Sequence, residues 1–150
     1  MQVRELATES VVTCDVDDSL ATAGRQMLEE HVGSVVVTRD GDPAGILTET
    51  DALRAGVATD RPFDDVAVHE VASSPLETVT PTATVREAVR QMQRHDVKHL
   101  PVVEQLELRG IVTMSDVVFA YTDIVREARD ADSRRDRWET DADRWQFDDD

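Results

Sequence analysis

The chain contains the same pattern twice. "GILTETD" at 45–51 and "GIVTMSD" at 110–116 lie 65 residues apart. Holding that offset without a gap from Val3 to Ala55 pairs 53 positions, of which 15 are identical. Unrelated sequences of ordinary composition would share roughly three. The matches run through "VRELA" against "VHEVA", Thr13 against Thr78, "RQM" at 25–27 against "RQM" at 90–92, and Ala55 against Ala120. This is a tandem duplication, and it restricts the fold severely. A unit of roughly 55 residues has one layered face and can hardly bury it alone. Two copies must therefore cover each other.

Each unit reads as β-α-β-β-α. A short extended stretch, "SVVTC" or "LETVT", comes first. Ser19 and Thr84 then stand where a helix should be capped, and Thr84 with Glu87 has the spacing of a capping box. Leu20, Ala23, Met27 and Leu28 are expected on one helical face, as are Val85, Ala88, Val89 and Met92. "SVVVT" and "HLPVV" are apolar runs too short for helices and read as buried strands. "RDGDP" signals a turn, and "AGILT" a second strand. The matching "EQLELRGIVT" has no glycine or proline in its turn, so its hairpin is expected to differ in shape. A helix follows each threonine, in "ETDALRAGVA" and "MSDVVFAYTDIVREAR". The fold class is α/β: tandem repeats with small mixed sheets packed about a pseudo-twofold axis. Residues 2–60 form the first repeat, and residues 61–125 the second with its linker, "DRPFDDVAV" at 60–68. Residues 126–150 form an acidic tail with aromatics. If it is helical, Trp138 and Trp145 share one stripe that could dock on the module, a second copy or another protein; equally it could be a solvated acidic tail with incidental aromatics.

Charge narrows the partners. There are 32 acidic residues against 16 basic, a formal net charge of −16. Aspartate outnumbers glutamate 20 to 12, and 15 arginines accompany a single lysine, Lys98. An Asp-heavy, Lys-poor surface stays hydrated in very high salt, so the expected source is a halophilic archaeon. Such a field repels nucleic acid and anionic membranes. In molar salt the Debye length falls to about 3 Å, so an anionic ligand must touch its cations directly. Cys14 is the single cysteine, which excludes an internal disulfide and a thiol metal cluster. It lies in the apolar run "VVTCDV", as a small buried thiol would. Neither a signal peptide nor an apolar stretch of about 18 residues is present, and a cytoplasmic location is expected.

The repeated motif residues admit two readings. At Thr48-Glu49-Thr50-Asp51 and Thr113-Met114-Ser115-Asp116 a strand ends as a helix begins. Hydroxyls and backbone N–H groups converge there at the positive end of the helix dipole, a natural place for a phosphate. The aspartate could accept hydrogen bonds from a ribose diol. Equally, threonine and aspartate at a helix start are ordinary caps. Catalysis is not expected: G-x-G-x-x-G, P-loop and G-x-S-x-G motifs are all missing. His95 and His99 have metal-compatible spacing, but Asp96-Val97 should end the helix between them and no third ligand lies near, so no metal is expected. His31 and His69 are isolated and read as surface or capping residues.

"GILTETD", "GIVTMSD" and "HDVKHLPVV" resemble the signature segments of cystathionine-β-synthase-type (CBS) domains, which occur in pairs called Bateman modules. The resemblance covers roughly residues 2–125. It implies two clefts for an adenosine-containing ligand: AMP, ADP, ATP or S-adenosylmethionine. One cleft would combine Thr48, Thr50 and Asp51 with Thr78, Val97, Lys98 and His99. The other would combine Thr113, Ser115 and Asp116 with Thr13, Val32, Gly33 and Ser34. Aspartate would bind ribose, hydroxyls would hold ribose or α-phosphate, and strand backbone would read adenine. Lys98 and His99 match positions where members of the family place phosphate-facing cations. Their counterparts Gly33 and Ser34 carry no charge, so the Lys98 cleft is expected to prefer more phosphate. The resemblance also implies a homodimer formed through helices. The expected function is a stand-alone regulatory module that senses its ligand and relays occupancy to a separate protein. The competing expectation is a scaffold that has lost its ligand and docks through the tail.

Overall fold

The helices and hairpins follow the repeat at the same offset. The computed structural model describes residues 1–74 and 76–121. The tail 126–150, with Trp138 and Trp145, falls outside the described residues. In the first copy β1 is Thr13–Asp15, α1 Leu20–Glu30, β2 Ser34–Arg39, β3 Asp42–Thr48 and α2 Glu49–Thr59. In the second copy α3 is Val85–His95, β4 His99–Glu104, β5 Glu107–Thr113 and α4 Met114–Tyr121. Short 3-10 turns occupy Val3–Glu5 and Val68–Glu70, again one offset apart, and a third, Phe63–Asp65, lies in the linker.

Local chemistry explains the helix limits. The Ser19 hydroxyl accepts a hydrogen bond from the Thr22 amide at 3.1 Å, and the Thr84 hydroxyl one from Glu87 at 3.1 Å. The Glu87 carboxylate accepts in return from the Thr84 amide at 2.9 Å, completing the expected capping box. Both helices stop at a left-handed residue, His31 (φ 54°) and Asp96 (φ 52°). Leu20, Ala23 and Met27 are buried, as are Val85, Ala88 and Met92. Leu28 is not: it is 76% exposed. At about 100° per residue it stands roughly 80° round from Leu20, on the side opposite Ala23, and so falls outside the buried stripe.

The expectation of unlike hairpins is also corrected. Both β2–β3 and β4–β5 close through two-residue turns with positive φ, at Asp40 and Gly41 (53° and 85°) and at Gln105 and Leu106 (51° and 66°). The right-handed twist of paired strands demands this turn whatever residues fill it. Each hairpin also carries a register shift at the same place, Val37/Thr38 and Val102/Val103.

β1 runs parallel to β2, which pairs antiparallel with β3; β4 and β5 form the second, antiparallel sheet. A single parallel bridge, Val79 to Val102, takes the place of β1 there. The repeats are laced together at their edges. The 3-10 turn of the first copy packs into the second core, where Val3 is fully buried with Ala88, Met92, Leu100 and Val112. Its counterpart Val68 is fully buried in the first core, with Leu20, Met27, Val35 and Leu47. Thr8 pairs with Ile111, and Ser73 with Ile46, both as antiparallel bridges. Each sequence copy thus lends an edge segment to the other. Cys14 sits buried in the first core, and burial, reinforced by Asp18 and Asp15, pushes its thiol up to about 11.

The exchange explains the motif glycines. A Cβ on Gly45 would lie 2.8 Å from the Ser73 carbonyl oxygen, and one on Gly110 would lie 2.7 Å from that of Thr8. The first letter of "GILTETD" and "GIVTMSD" therefore serves a crossing of backbones.

Candidate functional site

Two clefts open where a strand start of one copy meets a helix start of the other. The first, of about 530 Å³, is lined by Thr48, Thr50 and Asp51 from the β3–α2 junction and by Val97, Lys98 and His99 at the start of β4. The second, of about 420 Å³, is lined by Thr113, Ser115 and Asp116 and by Val32, Gly33 and Ser34. Both volumes suit a small organic ligand. The structure thus brings together twelve of the fourteen residues expected from the sequence, in the expected combinations. Thr78 and Thr13 do not line these clefts. Each instead uses its carbonyl oxygen to accept a side-chain amide from the following helix, Thr78 from Gln91 at 2.7 Å and Thr13 from Gln26 at 3.2 Å. The matched "RQM" segments supply those glutamines.

The threonine and aspartate of each motif cap the helix that follows. Asp51 Oδ2 accepts from the Thr48 amide at 3.0 Å, and the Asp51 amide donates to Thr48 Oγ1 at 3.2 Å. Asp116 and Thr113 repeat the box at 2.8 and 3.2 Å. Each carboxylate is half-buried and spends only Oδ2 on the cap. Oδ1 remains able to accept from a ligand in the cleft it lines. The Thr50 and Ser115 hydroxyls are exposed at the same rims.

Where the clefts meet, the two copies touch through equivalent residues. Ser34 Oγ and His99 Nδ1 share a hydrogen bond at 3.1 Å, although they are the same position of the repeat. Ser34 is 6% exposed, the one buried polar residue among those described. A pseudo-twofold axis passes through such a pair. The imidazole stands over Gly33, where a Cβ would meet His99 Cε1 at 3.3 Å. Burial lowers the His99 pKa below its ordinary value and Lys98 lowers it further, while Glu49 and Asp116 pull it upward.

One expectation needs correcting. Lys98 and His99 belong to the wall of both clefts, not of one alone. Their place beside the axis is the reason. Residues not anticipated from the sequence complete the sites: Arg54 and His95 in the first cleft, Glu49 and His31 in the second. Arg54 follows Asp51 by three residues on a helix, a spacing that shares a face and could have singled it out. Glu49 carried no signal, because its reach across the axis depends on how the copies pack. His95 ends α3 and His99 begins β4, as anticipated, with His95 Nε2 3.3 Å from Glu77.

The family model described as "CBS domain" matches residues 3–58 and again 68–123. The chain belongs to the CBS-domain family. It is 31% identical over 140 residues to the uncharacterized protein MJ1404 of Methanocaldococcus jannaschii, covering 85% of this chain and 33% of that protein. Among solved structures, the CBS-domain containing protein ATU1752 of Agrobacterium tumefaciens superposes with a TM-score of 0.76 at 28% identity, over 81% of this chain and all of that one. The CBS domain pair of protein MJ0100, solved in complex with 5′-methylthioadenosine and S-adenosyl-L-methionine, gives a TM-score of 0.74 over 81% of this chain and 95% of that one. At 18% identity the last likeness is one of fold. The chain spans from a third to about three fifths of the length of the first curated relatives it matches. The α/β duplication is therefore a CBS-domain pair. No helix among the described residues is long and apolar enough to cross a membrane.

Proposed function

We propose that this CBS pair is a regulatory module that binds an adenosine-containing ligand, either AMP, ADP or ATP or S-adenosylmethionine, and does not transform it. The observation that carries the reading is the repetition of one constellation in both clefts. A half-buried aspartate with a spare oxygen and a free hydroxyl on a helix start face a strand start of the other copy. Aspartate suits a ribose diol, hydroxyl and helix start suit a phosphate, and the strand start offers backbone for adenine. A pair of the same fold holding 5′-methylthioadenosine and S-adenosyl-L-methionine supports the ligand class. Ligand bridging the repeats would alter their relative angle, and with it what another protein can contact.

A homodimer through α2 and α4 is supported by their exposed apolar residues, Leu53, Val57, Phe119 and Tyr121. The same face favours the second reading, a docking scaffold without a ligand. Trp138 and Trp145, outside the described residues, are candidate contacts for a regulated partner. Thermal denaturation in the presence of each adenine ligand separates the readings. At one hundred times its dissociation constant a ligand stabilises the folded state by about 2.7 kcal/mol. A rise in midpoint with at least one of the four supports sensing; no rise with any of them leaves the scaffold.

A further inference from the structure

The cations of the two clefts are unequally divided. Arg54 lines the first cleft alone, while Lys98 lines both. The counterpart of Lys98 in the repeat is Gly33, and that of Arg54 is Phe119, so the second cleft has no permanent cation to itself. Each cleft has two carboxylates, Asp51 and Asp96 in the first and Glu49 and Asp116 in the second. The main chain of Lys98 is tied to the second cleft, because its carbonyl oxygen accepts the first amide of α4, that of Met114, at 2.9 Å. Its ammonium, on a flexible four-carbon stem, makes no ion pair with a described residue. One point charge on a pinned backbone thus stands at the boundary of two sites.

We propose that Lys98 is a shared phosphate contact, so that phosphate-bearing ligands bind the two clefts anticooperatively while ligands without phosphate bind them independently. This rests on the reading of both clefts as adenosine sites. A phosphate in the first cleft meets Arg54 and draws the ammonium to itself. The second cleft is then left with Glu49 and Asp116 facing any further phosphate. An ammonium cannot hold two tails on opposite sides with its best geometry, and a charge-assisted hydrogen bond is among the stronger polar contacts. Losing one costs the second ligand about tenfold in affinity, the factor that corresponds to about 1.4 kcal/mol. Adenosine, with no phosphate, does not compete for the ammonium.

The test is calorimetry on the full chain with ATP and with adenosine, at one salt concentration. Thr50→Phe fills the first cleft from an exposed position without touching the Thr48–Asp51 box. In the wild type ATP should bind in two steps at least tenfold apart. In Thr50→Phe the remaining step, at the second cleft, should be about tenfold tighter than the weaker step of the wild type. That gain should vanish when Lys98→Ala is added, and adenosine at the second cleft should be unaffected by Thr50→Phe. Ser115→Phe closes the second cleft instead and should leave the tighter step at the first unchanged, because that step already takes place with the second cleft empty. Sharing is overturned if ATP at the second cleft is indifferent to closure of the first, or if the gain survives Lys98→Ala. If adenosine fills both clefts and ATP shows no coupling, sharing alone falls. If neither binds, the adenosine reading falls with it.

Discussion

Gly45→Ala and Gly110→Ala should each destabilise the fold, through backbone contacts where the exchanged edges meet the hairpins. A methyl group on Gly45 would sit 2.8 Å from the Ser73 carbonyl oxygen, and one on Gly110 2.7 Å from that of Thr8. Ordinary contact begins near 3.4 Å. The obstructing atom is backbone, so no rotamer change relieves it. Either the exchanged segment retreats by about half an ångström or it gives up its pairing. For Gly45 that pairing is Ile46 N to Ser73 O at 3.2 Å and Ser73 N to Ile46 O at 2.9 Å. For Gly110 it is Thr8 N to Ile111 O at 2.9 Å and Ile111 N to Thr8 O at 3.0 Å.

Two backbone hydrogen bonds are worth about 1 kcal/mol each net. Against this, alanine gains roughly 0.4–1 kcal/mol by restricting the unfolded chain. The expected net loss is about 1–1.6 kcal/mol per variant, read as a lower urea midpoint at constant slope and constant salt. Gly24→Ala in α1 is the control, because nothing lies within 4 Å of its added methyl. That variant should gain roughly 0.5–1 kcal/mol. If Gly45→Ala and Gly110→Ala match or exceed wild-type stability while Gly24→Ala gains as expected, the repeats do not cross at these glycines and the exchanged edges are wrong.

Two further outcomes follow from local geometry. Leu106 holds φ at 66° beside Gln105 at 51°, a conformation that costs a branched residue about 1 kcal/mol or more; Gln105→Asn with Leu106→Gly should raise the unfolding midpoint by about that much and leave ligand binding unchanged. His99 is held neutral chiefly by burial, so its folded pKa lies below the unfolded value of 6.5. Its contribution to stability is complete above that value and is lost as pH falls through it toward the folded pKa. Urea midpoints measured from pH 7.5 down to 5 should therefore fall less steeply in His99→Gln than in the wild type, and equal slopes would rule out a titrating His99.

What could be read from the sequence was whatever depends on neighbours along the chain. Ser19, Thr84 and Glu87 announce their helices because a cap acts within one turn. Val35, Leu47, Leu100 and Val112 announce buried strands because short apolar runs have few other places to go. The pairing of helix start with opposite strand start was legible only through the family resemblance of the two motif segments. Three features escaped. Leu28 was placed on the buried face because apolar character at a helical spacing ignores how narrow the covered stripe of α1 is. The second turn was misjudged because strand twist, not its residues, sets its shape. The exchange of edge segments left a mark in Gly45 and Gly110, but a glycine in a motif gives no hint of which backbone approaches it.

That exchange bears on how two clefts from one ancestral unit can come to differ. Each cleft draws its helix start from one copy and its strand start from the other, so a substitution in one copy changes the cleft opposite as well as its own. The Gly33 carbonyl accepts the first amide of α2 at 3.0 Å, and the Lys98 carbonyl that of α4 at 2.9 Å. Lys98 therefore lines both clefts while its main chain anchors the start of α4. Glycine at 33 leaves room for the His99 ring, which a Cβ would meet at 3.3 Å. Lysine at 98 meets no such obstacle, because the residue that the axis sets opposite its neighbour is the small Ser34. A ring and a hydroxyl can share that position where two imidazoles would crowd each other. His99→Ser would place two short hydroxyls across the axis, relieve the pressure on Gly33, and make Gly33→Ala tolerable. In the wild-type background Gly33→Ala should cost about 1 kcal/mol, and the cost should disappear in His99→Ser, a coupling that a double-mutant cycle of urea midpoints reads directly.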